Sequence, residues 1–304
     1  MALISRPRTL PLLTITPTLL ALALGATSCG GSSSAKEAPA TASSSAGGTA
    51  SAPSAKPTPR VIPTLPPGPG GTTPVFSHGS RRAGKRVALT FDADMTADQG
   101  PRAARGERFD NPALIATLRA LKVPATVFMT GRWAEQYPAE AKSIGADPQF
   151  EVANHSYSHH AFASPCYGLP AVPRGGARAD VEKAFAAFRK AGVEHTVPYF
   201  RFPGGCHNPA VLKELGPAKV TAVQWDVVSG DAFAKDPGPV AAEVLDKVRP
   251  GSVVVMHCTR SAAPATEAAV KRIVPRLRAK GYEFVKVSDL LRGRTAPDEN
   301  PAPR

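Results

Sequence analysis

Only four cysteines occur in these 304 residues, and none has Cys-x-x-Cys spacing. That excludes a zinc ribbon or a dithiol redox motif of the usual kind. Aromatic residues make up just 6% of the chain, and no run of Lys or Arg is interleaved with them, so the signature of a nucleic-acid surface is missing. No Glu stands inside the one His-x-x-x-His segment, which rules out the HExxH pattern of zinc proteases. Charge is absent between Arg8 and Lys36, and the apolar stretch there, 10–26, is interrupted by Pro11 and Pro17. A uniform membrane-spanning helix tolerates those interruptions poorly, whereas a cleavable export signal does not need to span.

The same stretch follows Arg6 and Arg8 and ends at Ala26-Thr27-Ser28-Cys29. It reads as an export signal over 1–28 whose end resembles a lipobox, with Cys29 as the lipidated new N-terminus. The plainer alternative is a secretory signal with a stray cysteine. Either way the location is extracytoplasmic, anchored to the cell membrane by lipid or secreted. The net charge of +13 favours anionic surroundings, and a cell wall or anionic headgroups suit it as well as nucleic acid does. From 29 to 74 the chain is rich in Ser, Ala, Thr, Gly and Pro, a composition that buries too little surface to order itself, and it is expected to be a disordered tether. A folded domain is expected over 75–293, and a disordered tail over 294–304.

Within 75–293 short apolar runs alternate with amphipathic stretches. Candidate strands are 87–91, 125–129, 150–153, 198–201, 220–225, 253–256 and 283–285, and candidate helices include 112–121, 179–190, 240–248 and 265–280. This alternation predicts an α/β domain with parallel strands and outer helices, its seven strands suiting an incomplete barrel. In such folds chemistry gathers where strands end. Four strand ends carry polar groups. The first is Phe91-Asp92-Ala93-Asp94, whose carboxylates can ligate a metal, accept a water proton or simply cap a turn. The second is Asn154-His155-Ser156-Tyr157-Ser158-His159-His160, where two imidazoles four apart can reach one ion if the segment coils into a helical turn; a polar loop explains the spacing equally well. The third, Arg201-Phe202-Pro203-Gly204-Gly205, joins a permanent cation to exposed backbone N–H groups. The fourth ends a buried-type run, 253–256, in His257, and a lone His there is more often structural than catalytic.

Taken in order, Thr90-Phe91-Asp92, His155-x-x-x-His159, Arg201-x-Pro203-x-Gly205, Trp225 with an Asp, and the apolar run ending in His257 resemble the polysaccharide deacetylase family. This is the NodB-homology domain of carbohydrate esterase family 4, and the resemblance runs from about Val87 to Leu291. It implies a deformed (β/α) barrel and one divalent ion held by two histidines and an Asp. Zinc is the first candidate, and cobalt, nickel and manganese also suit that donor set. Carried over by position, His155 and His159 are metal ligands, Asp92 is the general base, Arg201 orients Asp92, and the Gly204 N–H binds the oxyanion. His257 is the general acid, tuned by Asp231, with Asp226 as the competing partner. The sequence departs from the family pattern in three places. Ala93 separates the two aspartates, and Asp94 is expected to be carried back onto the ion by an altered turn after Phe91. Ala232 and Phe233, not Trp, follow Asp231, while Trp225 is retained earlier as core packing or a sugar platform. Cys258 replaces an Asp after the final histidine.

The resemblance implies a hydrolase that removes acetyl groups from an N-acetylated cell-wall or chitin-like polysaccharide. An O-acetyl xylan esterase on the same fold and a non-catalytic glycan-binding relative are the alternatives. Expected partners are the acetylated glycan (peptidoglycan, chitin oligomers or xylan) and the membrane through the lipid; no nucleic acid is expected, and the protein is expected to be monomeric. Cys166, shortly after the histidine motif, and Cys206, directly after Gly205, are the expected disulfide at the mouth of the site, with Cys258 competing for either partner.

Overall fold

Runs such as Val87-Ala88-Leu89-Thr90-Phe91 and Val253-Val254-Val255-Met256 are apolar on both faces, as strands covered on both sides must be. In the structure of this protein, a computed structural model that describes residues 61–292, they form the centre of a parallel sheet. The strands are β1 (Val75–Phe76), β2 (Arg86–Ala93), β3 (Ala125–Met129), β4 (Phe150–Asn154), β5 (Thr196–Phe200), β6 (Thr221–Val223), β7 (Val227–Val228), β8 (Ser252–His257) and β9 (Glu283–Phe284). Their order is β1-β6-β5-β4-β3-β2-β8-β7, with β9 pairing to β2, and every pairing is parallel. The sheet curls into an incomplete barrel, a deformed (β/α) fold whose edges β1 and β7 do not meet. The seven expected strands are all present, and two two-residue strands at the edges bring the described total to nine.

The helices are α1 (Gln99–Ala104), α2 (Pro112–Ala120), α3 (Gly131–Gln136), α4 (Pro138–Gly145), α5 (Ala177–Lys190), α6 (Pro209–Leu215), α7 (Pro237–Lys247), α8 (Thr266–Ala279) and α9 (Val287–Arg292). Their starts follow local chemistry. Asn111, Asn208 and Asp236 each accept a backbone N–H at an N-terminus whose first residue is Pro, satisfying donors that the helix cannot. α8 buries Ala269, Val270, Ile273, Val274 and Leu277, a stripe at helical spacing that packs on the sheet.

Strand alternation separates two apolar layers. On β2, Val87, Leu89, Phe91 and Ala93 face the outer helices, together with Val127 and Met129 of β3 and Val254 and Met256 of β8. Ala88, Phe128, Ala153, Tyr199, Val223 and Val253 face the barrel interior.

The domain begins earlier than composition suggests. Residues 61–74 fall in the expected tether, yet Ile62 and Leu65 pack on the inner cluster. Tyr199 Oη donates to the Pro63 carbonyl at 2.7 Å, and the Leu65 N–H donates to Thr221 Oγ1 at 3.2 Å. Two apolar anchors and two hydrogen bonds are enough to seat a Pro-rich segment that loses little entropy on ordering. The expected signal, Cys29 and the tether up to residue 60 lie outside the described residues, as does the tail from 294.

Candidate active site

β2 runs straight through Ala93, which is paired with Met129 of β3, so no altered turn follows Phe91. Because side chains alternate along a strand, Asp92 and Asp94 face the same side while Ala93 packs into the outer core. The one-residue spacer expected to need a special turn is what aligns the two carboxylates. The register also places His257 of β8 directly opposite Asp92.

Asp94 meets the two histidines. Its Oδ1 lies 3.3 Å from His155 Nε2 and 3.5 Å from His159 Nε2. The three donor atoms lie within 4.8 Å of one another, and this is the metal-competent His/Cys/Asp/Glu group found among the described residues. Ligand bonds of about 2.0–2.1 Å in a tetrahedron put donor atoms roughly 3.3 Å apart, so these separations fit a zinc-sized ion. Asp94 Oδ1 is buried with no hydrogen-bond partner, an arrangement costly for a carboxylate unless a cation faces it. The His155 Nδ1 is 2.9 Å from the Arg201 carbonyl, which fixes its proton there and leaves Nε2 as a lone-pair donor. Burial pushes the His159 imidazole down to about 4, which leaves it neutral and able to ligate, whereas at His155 the Asp92 and Asp94 carboxylates outweigh burial and push the imidazole up. Burial would raise the Asp94 carboxyl, but His159, His155 and His257 together hold it below its ordinary value.

The histidines do not share a helical turn. Residues 155–159 form a loop in which Ser156 (φ 71°) and His159 (φ 57°) are left-handed, bringing both rings to one side with centroids 5.1 Å apart. Such backbone costs energy for residues with a Cβ and must be held from outside. Asn154 Oδ1 accepts from the Ser156 N–H at 2.8 Å, and Ser156 Oγ accepts from the His159 N–H at 2.9 Å. Asp180 of α5 supplies the anchor that sequence reasoning missed: its Oδ1 accepts the Tyr157 N–H at 2.6 Å and, more weakly, the Ser158 N–H at 3.4 Å. Nothing in the sequence marks Asp180, because it is an ordinary first-turn acid of a helix more than twenty residues downstream.

Asp92 is not grouped with these ligands. Its Oδ1 is 2.6 Å from Arg201 Nη1, and its Oδ2 is 3.6 Å from His155 Nε2. Arg201 is fully buried, donating to the Val223 carbonyl at 3.1 Å and lying 3.9 Å from the Phe128 ring centroid. The guanidinium thus has no freedom except to hold Asp92. Gly204, the expected oxyanion donor, has φ 63°, and a Cβ there would meet Cys166 Sγ at 2.7 Å. Only glycine fits, and the contact exists because Cys166 is bonded to Cys206 in the disulfide. Cys258 is a free buried thiol; alternation turns it toward the outer core, where burial pushes its pKa up.

His257 has a separate partner. Its Nδ1 lies 2.8 Å from Asp231 Oδ1, and its backbone N–H donates to Asp231 Oδ2 at 2.7 Å. Ser229 and Thr266 hydroxyls donate to the same carboxylate at 2.9 and 2.6 Å. Burial opposes protonation of His257, but the charge and hydrogen bond of Asp231 outweigh it and push the imidazole up to about 10. Asp226 plays no part here. It accepts from the Val253 N–H and Ser252 Oγ and pairs with Arg81 at the other end of β8. Trp225 packs against the inner cluster, its ring 5.5 Å from the Arg201 guanidinium. A cavity of about 660 Å3, lined in part by Glu151, His195 and Lys286, opens at the opposite ends of β4 and β5 and holds none of these groups.

A family profile for polysaccharide deacetylase matches residues 79–223, which contain the carboxylate pair, the histidine loop and the Arg201–Gly205 turn. Over these residues the chain is similar to the polysaccharide deacetylase family. Among proteins similar to this chain, a chitooligosaccharide deacetylase of Sinorhizobium fredii is 29% identical over 198 residues, covering 62% of this chain and 86% of that protein. A peptidoglycan-N-acetylglucosamine deacetylase of Bacillus cereus is 29% identical over 211 residues, 68% of this chain and 89% of that protein. In structure, a CE4 family pseudoenzyme from Bacillus anthracis matches with a TM-score of 0.56 and 25% identity, over 72% of this chain and 69% of the other.

Two outcomes follow from this geometry. Asp180→Ala should weaken zinc binding to the metal-free protein by roughly 10–100-fold, the usual worth of an outer-shell anchor, and Asp180→Asn should recover most of it. Unchanged affinity in a calorimetric titration of Asp180→Ala would show that the loop needs no such anchor. Asp231 raises the pKa of His257, so Asp231→Asn must lower it. The alkaline limb of kcat/KM should therefore move toward neutral pH, and a limb that stays in place would remove Asp231 from the tuning role.

Proposed function

We propose that this chain is an exported, zinc-dependent hydrolase that removes acetyl groups from the N-acetylated sugars of a cell-wall or chitin-like polysaccharide. The observation that carries the reading is the convergence, on one barrel end, of the Asp94–His155–His159 group with two separate buried pairs, Asp92–Arg201 and His257–Asp231. Fold likeness alone would not carry it, since a pseudoenzyme shares the fold. The names of the two curated relatives support the N-acetyl glycan as the substrate class.

Asp94, His155 and His159 would hold the ion, and two imidazoles with one carboxylate are a zinc-type donor set that leaves positions open. When bound, it would supply Lewis acidity toward the acyl oxygen and acidify a water. Asp92, locked by Arg201 and facing the same side as Asp94, is placed to accept the proton of the attacking water. The Gly204 turn presents backbone toward the developing oxyanion. An amide leaves badly as an anion, so a proton must reach its nitrogen as the C–N bond breaks. His257, kept protonated by Asp231, is the donor, and acetate departs leaving the free amine.

Export rests on the uncharged apolar run after Arg8, and lipid anchoring on Cys29 at its end. Cys29→Ala should release the protein from membranes into the medium; equal membrane retention of the variant would contradict the anchor.

Acetate release from N-acetylated chito-oligomers, peptidoglycan and acetyl-xylan separates the substrate classes. The proposal expects turnover of the first two. Asp92→Asn should lower it by about 10²–10⁴-fold with the ion retained, and Asp94→Ala should lose ion affinity and recover part of the rate with added zinc. Acetate from acetyl-xylan alone would make the protein an O-acetyl esterase. No acetate from any substrate by the zinc-loaded protein would make it a binding relative.

A further inference from the structure

Four large apolar side chains are exposed among the described residues: Val61, Tyr167, Val228 and Phe233. Tyr167, 88% exposed, is the most open of them and stands where chemistry is closest. Its ring Cδ2 is 3.1 Å from the point that a Cβ on Gly204 would occupy, with Leu169 Cδ1 3.6 Å from the same point. The ring therefore borders the turn assigned to the oxyanion.

The loop that carries it is built to be rigid. Its neck is closed by the Ala161 N–H to Pro170 carbonyl and Val172 N–H to Ala161 carbonyl bonds, both 2.8 Å, with a parallel bridge between Ala161 and Ala171. Phe162 and Cys166 are buried, and the Cys166–Cys206 disulfide ties the loop to the residue after Gly205. Tyr167 itself sits at φ 46°, left-handed backbone that a residue with a Cβ avoids by about 1–2 kcal/mol. Among the described residues the ring stays 88% exposed in return. Strained backbone that persists because its surroundings over-determine it clusters at active sites and ligand clamps.

The composition of the loop selects the ligand. Residues 161–172, Ala-Phe-Ala-Ser-Pro-Cys-Tyr-Gly-Leu-Pro-Ala-Val, contain no charge in a chain of net charge +13. An anionic polymer or a phosphate would find no counter-charge there. A neutral ring with an apolar face would match the flat apolar face of Tyr. We propose that Tyr167 is a stacking platform for a pyranose ring of the glycan, a neighbour of the sugar whose acetyl group sits at Gly204. This rests on the glycan reading above and adds a binding position to it.

The test separates the two. An N-acetylated chitin pentamer is titrated into zinc-loaded Asp92→Asn protein, where turnover is suppressed, and into the same protein carrying Tyr167→Ala, Tyr167→Phe or Tyr167→Trp. The platform predicts Kd about tenfold weaker for Ala and within about twofold for Phe and Trp, because the ring face and not the hydroxyl makes the contact. The melting temperature of each variant is measured alongside, and an exposed side chain should leave it in place. Equal Kd for Ala and Tyr, or a Phe variant as weak as Ala, would overturn the platform, as would no binding of the pentamer to the parent. If the pentamer binds with the predicted pattern but the wild-type protein releases no acetate from it, the catalytic reading falls and the platform stands.

Discussion

Asp92 and Asp94 face one side of β2 because an extended strand alternates its side chains, and the rest of the site is arranged about that pair. The same alternation sends Ala93 into the outer core, brings His257 across from Asp92 in register, and turns Cys258 away from the chemistry. A slip of one residue in β2 would carry both carboxylates into the apolar layer beneath the helices, where neither Arg201 nor the histidines could reach them. Register in this sheet is therefore a chemical constraint as much as a structural one. The hydrophobic faces of β2, β3 and β8 enforce it, since the slip would also expose Val87, Leu89 and Phe91 to the wrong layer.

Gathering charge at a barrel end requires that each group be neutralised separately. Arg201 and Asp92 are both nearly buried and answer one another, and Asp231 answers His257 with support from two hydroxyls and a backbone N–H. Removing one partner from a buried pair of this kind costs about 3–5 kcal/mol, because the other is left without compensation. Asp94 is the exception. Its neighbours are His155, whose Nδ1 is engaged by the Arg201 carbonyl, and His159, whose imidazole burial pushes down to about 4, and its Oδ1 has no hydrogen-bond partner. An ion bound there would face Asp94 Oδ1 and would stabilise the fold as well as serve the chemistry. In the proposed mechanism, the division between two self-contained pairs and one incomplete group is also a division of roles: proton acceptor and donor on either side of a ligand cluster.

Much of this was legible in the residues. Buried parallel strands are continuous apolar runs, so the seven principal ones stand out, and Asp92, His155, Arg201 and His257 each lie at the end of one. β1 and β7 are two residues each and have no period to detect; α1, α3, α4, α6 and α9 span six to eight residues, too few for a helical stripe. The tether boundary was misplaced because Ile62 and Leu65 are sparse anchors within a Pro- and Thr-rich stretch, and composition averages over them. The histidine spacing suggested a helical turn, whereas two left-handed residues bring the rings together instead. The choice between Asp226 and Asp231 depends on how β7 and the loop after it lie against β8, which no local pattern encodes. Asp180 was invisible for the same reason: its role comes from the approach of α5 to the histidine loop.

The central claim is that strand alternation makes Asp94 the third ligand and reserves Asp92 for Arg201. Crystals of the protein grown with zinc, with an anomalous difference map collected at the zinc edge, test it directly. The account predicts one strong peak within bonding distance, about 2.0–2.2 Å, of Asp94 Oδ1, His155 Nε2 and His159 Nε2, with Asp92 unbound and still on Arg201. A peak ligated by Asp92 in place of Asp94, or none at this barrel end, would contradict it.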